Sequence, residues 1–420
     1  MEATLARSFD TMMRQGALRV TYPSGTTRTH GPGPETVAIR ITDAGALKAI
    51  ATDPQLAVGE MYMDGRLIVE EGSIYDFISL TKRNTNVRAA TPGAIRTHLW
   101  RSFRASVRNR TGLAAARRNI AHHYDLDERL FRLFLDPDLS YTCAYFEHDG
   151  QSLEHAQLAK QRHIAGKLLS KPGNTAIDLG CGWGGMGLYL NEVAQLDVTA
   201  VTLSAEQARV AQSRAQARGV ADTCAFHNLD YRNATGRFDH VVSVGLLEHV
   251  GLPQMDTFFG KVAQLLDKKG TAVIHSMGRT KPAPYSQPFG EKYIFPGGYI
   301  PALSEVLPAV ERAGLLVKDV EILPLHYAET CRLWRERFLA NRAAVLELFD
   351  ERFLRMWEIY LAAAEAGFRH DRIFIFHLIL ARHQDRVPIR RGWLEPEKDR
   401  LKAREVGRPL GIESPAAAQA

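Results

Sequence analysis

At 420 residues, 24% charged and 45% hydrophobic, the chain is long enough for two or three domains, and its composition excludes a collagen-like, wholly disordered or integral-membrane polypeptide. The net charge of +6 is local. Lys82, Arg83, Arg88, Arg96, Arg101, Arg104, Arg108, Arg110, Arg117 and Arg118 follow one another with no Asp or Glu among them, and subtracting these ten from 53 basic residues leaves 43 against 47 acidic. Charge concentrated on one segment implies a partner for it. Cys143, Cys181, Cys224 and Cys331 lie far apart with neither CxxC nor Cys/His ligand spacing, so no metal site and no disulfide framework is expected. Charges break every apolar run in the first twenty residues and no stretch is long enough to span a bilayer, which leads us to expect a cytoplasmic, reduced protein.

In chain order, Leu18, Val20 and Tyr22, then Val37 to Ile41, predict two strands around the turn-rich stretch that holds Pro23-Ser24-Gly25. In the basic segment Ile95, Leu99, Phe103 and Val107 recur every four residues among Arg96, Arg101, Arg104 and Arg108, which predicts a basic amphipathic helix. From Gln151, helical patterns alternate with apolar runs at 175–179, 198–202, 223–227, 240–244 and 271–275, the signature of βαβ units and a largely parallel sheet. Runs at 315–323 and 373–380 extend it to seven strands. Between them a helical stretch from about Glu329 to Phe368 carries Trp334, Phe338, Phe349, Phe353, Trp357 and Tyr360, read as plain core. Four segments result: a small α+β domain over 1–90, a basic linker helix over 91–120, a catalytic domain over 121–405 and a frayed tail over 406–420.

The run Ala176-Ile177-Asp178-Leu179-Gly180-Cys181-Gly182-Trp183-Gly184-Gly185 reads as a strand, a glycine turn and a helix start. Glycine belongs there because the backbone must turn sharply and approach a ligand without Cβ atoms in the way. Gly180, Gly182 and Gly185 satisfy the dinucleotide fingerprint, which alone is weak. Three features favour S-adenosylmethionine instead. Asp178 precedes the glycines, where a carboxylate would take the ammonium of a methionine moiety; the second strand ends at Thr202 without the acid a ribose anchor requires; and Asp230 closes the third strand, where an acid would meet an adenine amino group.

The chain resembles the cyclopropane-fatty-acid-phospholipid synthases, a family of S-adenosylmethionine-dependent methyltransferases. The resemblance rests on Tyr124-Asp125-Leu126, Ser140 to Phe146, Asp178 to Gly184, Val201 to Gln207, Asp230-Tyr231-Arg232, Glu248 to Gly251, His275 to Gly278, Lys292 to Pro296, His326-Tyr327, Thr330 and Trp334. The leading domain, with Gly59 to Gly65, looks like the phospholipid-acting members. The resemblance implies a Rossmann-like class I methyltransferase fold with a small α+β domain in front. It implies a cofactor site of Tyr141, Thr142, the Gly180–Gly182–Gly184 turn, Thr202, Gln207, Asp230, Tyr231 and Arg232. It further implies a bicarbonate ion held by Cys143, Glu248, His275, Tyr327 and the backbone at Met277.

The reaction so implied places the sulfonium methyl on one carbon of a cis double bond and a cation on the other. Tyr145, Phe146, Tyr293 and Phe295 are candidate π faces for that cation. The expected partner is an unsaturated phospholipid acyl chain, met by a protein peripherally associated with the inner face of the membrane. A homodimer stays open, as does methylation of the same double bond without ring closure. The arginine-rich segment also raises nucleic-acid binding, but no RNA-binding module with stacking aromatics is evident, and no nucleic acid is expected.

Overall fold

The computed structural model describes residues 1–34, 36–84, 90–108 and 127–408, with Thr36, Ser106, Val107 and Arg108 as backbone only. Tyr124-Asp125-Leu126, Arg88, Arg110, Arg117, Arg118 and most of the 406–420 segment lie outside the described residues. The chain divides into two compact units: Met1–Gly112 with Ala283–Pro296 and Cys331–Arg372, and Leu113–Pro282 with Gly297–Thr330 and Ile373–Ala420.

In the first unit, β1 (Ala17–Thr21), β2 (Thr27–His30), β3 (Thr36–Ile41) and β4 (Leu67–Glu71) form a sheet in the order β2-β1-β3-β4. The two strands read from the sequence are β1 and β3, which pair in parallel. The Pro23-Ser24-Gly25 turn returns the chain into β2, with Gly25 at φ +85°, a backbone state that glycine adopts without Cβ strain. Leu18, Val20, Ile39 and Ile41 alternate inward and are buried. The long helical stretch is not continuous: it is three helices, His326–Ala340, Arg342–Leu348 and Glu351–His370. Asp350 makes the second break by capping the last helix, its carboxylate accepting the Phe353 N–H at 2.7 Å. Trp334, Phe338 and Trp357 are fully buried, as core residues should be.

The helix Pro92–Arg108 is held through Thr97, whose hydroxyl donates to the Thr52 carbonyl at 3.0 Å, and through Arg101, which grips Asp53 with two bonds of 2.7 and 2.5 Å. Its apolar stripe faces outward: Ile95, Leu99, Trp100 and Phe103 are 47–70% exposed.

In the second unit β5 (Thr175–Leu179), β6 (Asp197–Thr202), β7 (Cys224–Asn228), β8 (Phe238–Val244), β9 (Leu266–Arg279), β10 (Leu316–Leu323) and β11 (Ile373–Ala381) form one sheet, ordered β10-β11-β9-β8-β5-β6-β7. β7 to β9 run parallel through β6, β5 and β8, whereas β11 is antiparallel to both β9 and β10. Both faces of the parallel strands are covered, which is why they read as unbroken apolar runs. After β7 the chain crosses to the far side of β5 to make β8. The carboxyl end of β5 is therefore the topological switch point, where open α/β sheets bind ligands.

Candidate active site

The glycine turn leaves β5 at that switch point. Gly180 and Cys181 donate their N–H groups to the Val201 carbonyl at 2.9 and 3.1 Å, and Gly180, Gly182 and Gly184 all have positive φ. A Cβ at Gly184 would come within 2.7 Å of Ala211, so packing demands glycine there. A Cβ at Gly182 would meet nothing within 4 Å; this glycine faces open space suited to a ligand. Arg214 fixes the turn from the helix Ala205–Ala217: it donates to the Trp183 carbonyl at 2.6 Å and pairs with buried Asp138.

Asp178 is 1% exposed, and neither carboxylate oxygen has a partner among the described residues. Burial pushes its carboxyl up to about 7, with Lys160 pulling in the opposite sense. An unanswered buried carboxylate is costly, and a ligand ammonium would answer it. Thr202 is bound to Gln207, hydroxyl to Oε1, at 2.9 Å, which places both on the turn from β6 into the next helix. Asp230 follows β7 and caps Tyr231–Asn233, accepting the Arg232 N–H at 3.0 Å and the Arg232 guanidinium at 2.9 and 2.5 Å. Tyr231 packs edge-on against Phe258. Tyr141 belongs to an aromatic group with Phe131 and Phe134, and Phe131 in turn meets Trp183 of the glycine turn.

The segment 140–146 is pinned from two sides. Gln157, on the helix Leu153–Leu168, donates to the Thr142 carbonyl at 2.9 Å, and Lys160 on the same helix donates to the Thr142 hydroxyl at 3.0 Å. From the start of the helix His326–Ala340, Thr330 accepts the Ala144 N–H at 3.1 Å and His326 accepts the Phe146 N–H at 3.0 Å. These bonds bring Cys143 to the turn of helix that carries half-buried Tyr327. The Cys143 thiol is buried and donates to the Ala144 carbonyl at 3.1 Å; burial drives it well above the usual thiol range, so it stays neutral. Tyr145 stacks between His163 and His326, with centroids 4.0 and 4.9 Å away. Tyr293 and Phe295 belong to the first unit, where Tyr293 donates to Glu60 at 2.8 Å and Phe295 meets Tyr360 edge-on.

Glu248, just beyond β8, is 4% exposed. Its Oε1 accepts the Met277 N–H at 2.5 Å, while Oε2 is buried without a partner among the described residues. Burial pushes its carboxyl up to about 7, partly offset by that backbone N–H. The N–H assigned to the ion from the sequence is thus donated to Glu248. His275 lies two residues before Met277 on β9, its carbonyl accepting the Gly245 N–H at 2.9 Å.

Sequence reasoning missed Lys160. It is 4% exposed, its ammonium destabilised by burial and supported by the carboxyl groups of Asp136, Asp138 and Asp178, while it holds His275 further below the imidazole range. The signal was a helix with Lys160, Gln161, Arg162, His163 and Lys167 spread over all its faces, a pattern that leaves no apolar stripe, although from Ala159 to Leu168 every residue is buried.

A strand-order switch carrying a glycine turn and an unanswered buried acid defines a class I S-adenosylmethionine-dependent methyltransferase. A family model for mycolic acid cyclopropane synthetase matches residues 112–378, and one described only as a domain of unknown function matches residues 4–90. The cyclopropane-fatty-acyl-phospholipid synthase of Escherichia coli K12 is 33% identical over 347 residues, 82% of this chain and 87% of its own. The tuberculostearic acid methyltransferase of Mycobacterium tuberculosis is 35% identical over 393 residues, 87% of this chain and 88% of its own. The solved structure of a mycolic acid cyclopropane synthase complexed with SAH and CTAB covers 63% of this chain and 97% of that one, at 31% identity and a TM-score of 0.59. The chain belongs to the cyclopropane-fatty-acyl-phospholipid synthase family and is an S-adenosylmethionine-dependent methyltransferase.

Proposed function

We propose that the enzyme methylates the cis double bond of an unsaturated acyl chain in a membrane phospholipid and closes a cyclopropane ring. S-adenosylmethionine supplies an electrophilic sulfonium methyl. The alkene takes that methyl at one carbon, positive charge develops at the other, and loss of a proton from the new methyl closes the ring. An alkene is a weak nucleophile, so the protein must contribute alignment and a water-excluded site. The observation that carries this reading is a pair of buried acids, Asp178 with both carboxyl oxygens and Glu248 with one lacking a partner among the described residues, the first suited to the ammonium of the methyl donor and the second to the hydroxyl of a proton acceptor. Methyl donor and proton acceptor would then share one dry site.

Bicarbonate would supply a base whose conjugate acid suits neutral pH. Cys143, Glu248, His275 and Tyr327 would hold it. The Glu248 Oε2 fits as acceptor for the ion's own hydroxyl, because a second bare anion in contact would be repelled. Wild-type turnover is expected to fall in carbonate-free buffer and to return on adding bicarbonate; full turnover without carbonate would remove the ion from the proposal.

Acyl chains would be reached at the inner face of the membrane. No described helix is long and apolar enough to cross a membrane. The exposed Ile95, Leu99, Trp100 and Phe103, with exposed Arg96 and Arg104 beside them, suit a helix lying in an anionic headgroup layer. A cavity of about 300 Å³ adjoins this helix, lined in part by Leu56, Trp100, Arg104, Tyr285 and Lys292.

A second reading, methylation without ring closure, is favoured by the likeness to the tuberculostearic acid methyltransferase. Cyclopropanation and methylation with proton loss both add CH2, so mass does not separate them. Lipids from a host expressing the protein, examined by proton NMR, should show upfield ring protons; methyl-branched or methylidene signals in their place would favour the second reading.

A further inference from the structure

Three neighbouring strands and the helix Leu153–Leu168 set five polar side chains in one unbroken line. Glu321 on β10 is opposite His377 on β11, and His377 is opposite His275 on β9. The His275 Nδ1 lies 2.7 Å from the His377 Nε2, and the His377 Nδ1 lies 2.7 Å from the Lys167 ammonium. Lys167 also donates to the Glu321 Oε2, and the His163 Nε2 lies 2.7 Å from the same oxygen. His163, Lys167, His275 and His377 are 1–2% exposed. Only the outer end, at Glu321, reaches solvent, its side chain being 27% exposed.

The ligand atoms of His163, Glu321 and His377 all lie within 4.8 Å of one another, spacing that would suit a metal ion. The Lys167 ammonium already sits among them, bound to Glu321 and His377, and would repel a second cation. The line is therefore closed by an ammonium, and its polarity follows. An ammonium has three donors and no lone pair, so the His377 Nδ1 must accept from Lys167. Its Nε2 then carries the ring hydrogen and donates to the His275 Nδ1, which leaves the hydrogen of His275 on Nε2. Burial holds both imidazoles well below their usual range, with Lys167 adding to the effect, so both are neutral and their tautomers matter.

We infer that Lys167 is a positioning residue for the reaction: acting through His377, it locks His275 in the Nε2–H tautomer, so that this ring offers the anion a donor and not a lone pair. The inference rests on the proposed role of His275 in holding bicarbonate, and it assigns functions to Lys167 and His377, which no motif singled out.

The test uses the full chain with 15N-labelled histidine, whose ring nitrogens report the tautomer without cofactor or lipid. Wild-type His275 should show Nε2–H with a bare Nδ1. Lys167→Met should give mixed tautomers and lower kcat about 10- to 100-fold, the usual effect of losing a group that orients a histidine, with the Kd for S-adenosylmethionine within about twofold of wild type. If Lys167→Met does not fold, the pair at position 377 decides. His377→Leu should lose both tautomer and turnover, and His377→Gln should restore much of each, because its amide N–H still donates to the His275 Nδ1. Wild-type His275 bearing its hydrogen on Nδ1, or a folded His377→Leu with wild-type tautomer and kcat, would overturn the inference. A product without ring protons, alongside the expected tautomers, would sink the proposed reaction and leave the positioning role standing.

Discussion

The Glu248 carboxyl group takes the backbone N–H of Met277 through one oxygen and leaves the other buried and without a partner among the described residues. An acid held this way is a costly feature for the fold alone, since the orphan oxygen gives up its hydration without compensation. The same holds for both oxygens of Asp178. In the proposed reaction the two carboxyl groups would serve different groups, Asp178 the ammonium of the methionine moiety and Glu248 the hydroxyl of bicarbonate.

In the ligand-free protein Glu248 should contribute stability that is lost as pH rises from about 4.5 to about 7, while buried neutral histidines such as His275 and His377 act in the opposite sense. Burial raises Glu248 from 4.5 to about 7, so between these values the folded state binds a proton that the unfolded chain has released, and stability is lost as that proton leaves. The displacement corresponds to an upper bound of roughly 3 kcal/mol. Glu248→Gln should remove this contribution, so that its stability relative to wild type grows as pH rises from about 4.5 to about 7, raise the denaturant midpoint at pH 8, and lower kcat more than 100-fold. A variant with an unaltered pH slope would show that Glu248 is not held as a neutral acid.

Cofactor binding should release protons near pH 7. Asp178 is raised to about 7 by burial, so ligand-free protein carries it partly protonated, and an incoming ammonium favours the carboxylate. Titration calorimetry in two buffers of different ionisation enthalpy should give different heats for wild type and nearly equal heats for Asp178→Asn. That variant should bind S-adenosylmethionine about 10- to 100-fold more weakly.

Gly182→Val should abolish cofactor binding and leave the protein folded. The valine would enter the open space beside the turn, and holding it at φ +52° costs roughly 1–3 kcal/mol, which a unit of this size tolerates. Unchanged affinity in the folded variant would mean that the ligand lies elsewhere.

The parallel strands β5 to β9 were legible because buried parallel strands must be apolar, and the glycine turn because positive φ and close approach select glycine. The breaks near Asn341 and Asp350 were hidden, since an Asn or Asp cap also suits an exposed helix position. Lys160, Lys167 and His377 were illegible for a different reason. Each acts through partners distant in sequence, His377 through residues 102 and 210 positions away, and no local pattern encodes such a bond. The outward direction of the 92–108 stripe was also undecided, because an amphipathic helix reads the same whether protein or membrane covers its apolar side.

Charge reversal on that helix should separate membrane docking from catalysis, provided that Arg101 is left alone. Arg101 is tied to Asp53 by two bonds, so changing it would disturb the first unit and confuse the result. Arg96 and Arg104 are exposed, and Arg104 lies over the Trp100 ring at 4.9 Å. Each arginine near an anionic surface contributes roughly 1 kcal/mol, so Arg96→Glu with Arg104→Glu should weaken binding to vesicles rich in anionic lipid about 10- to 100-fold at low salt. Activity on vesicles should fall in step, while activity on detergent-dispersed phospholipid stays close to wild type. Phe103→Ser should weaken vesicle binding too, by removing apolar area that is 70% exposed in the free protein, and this loss should be insensitive to salt. Wild-type vesicle binding by the double-charge variant at low salt would exclude docking through this helix.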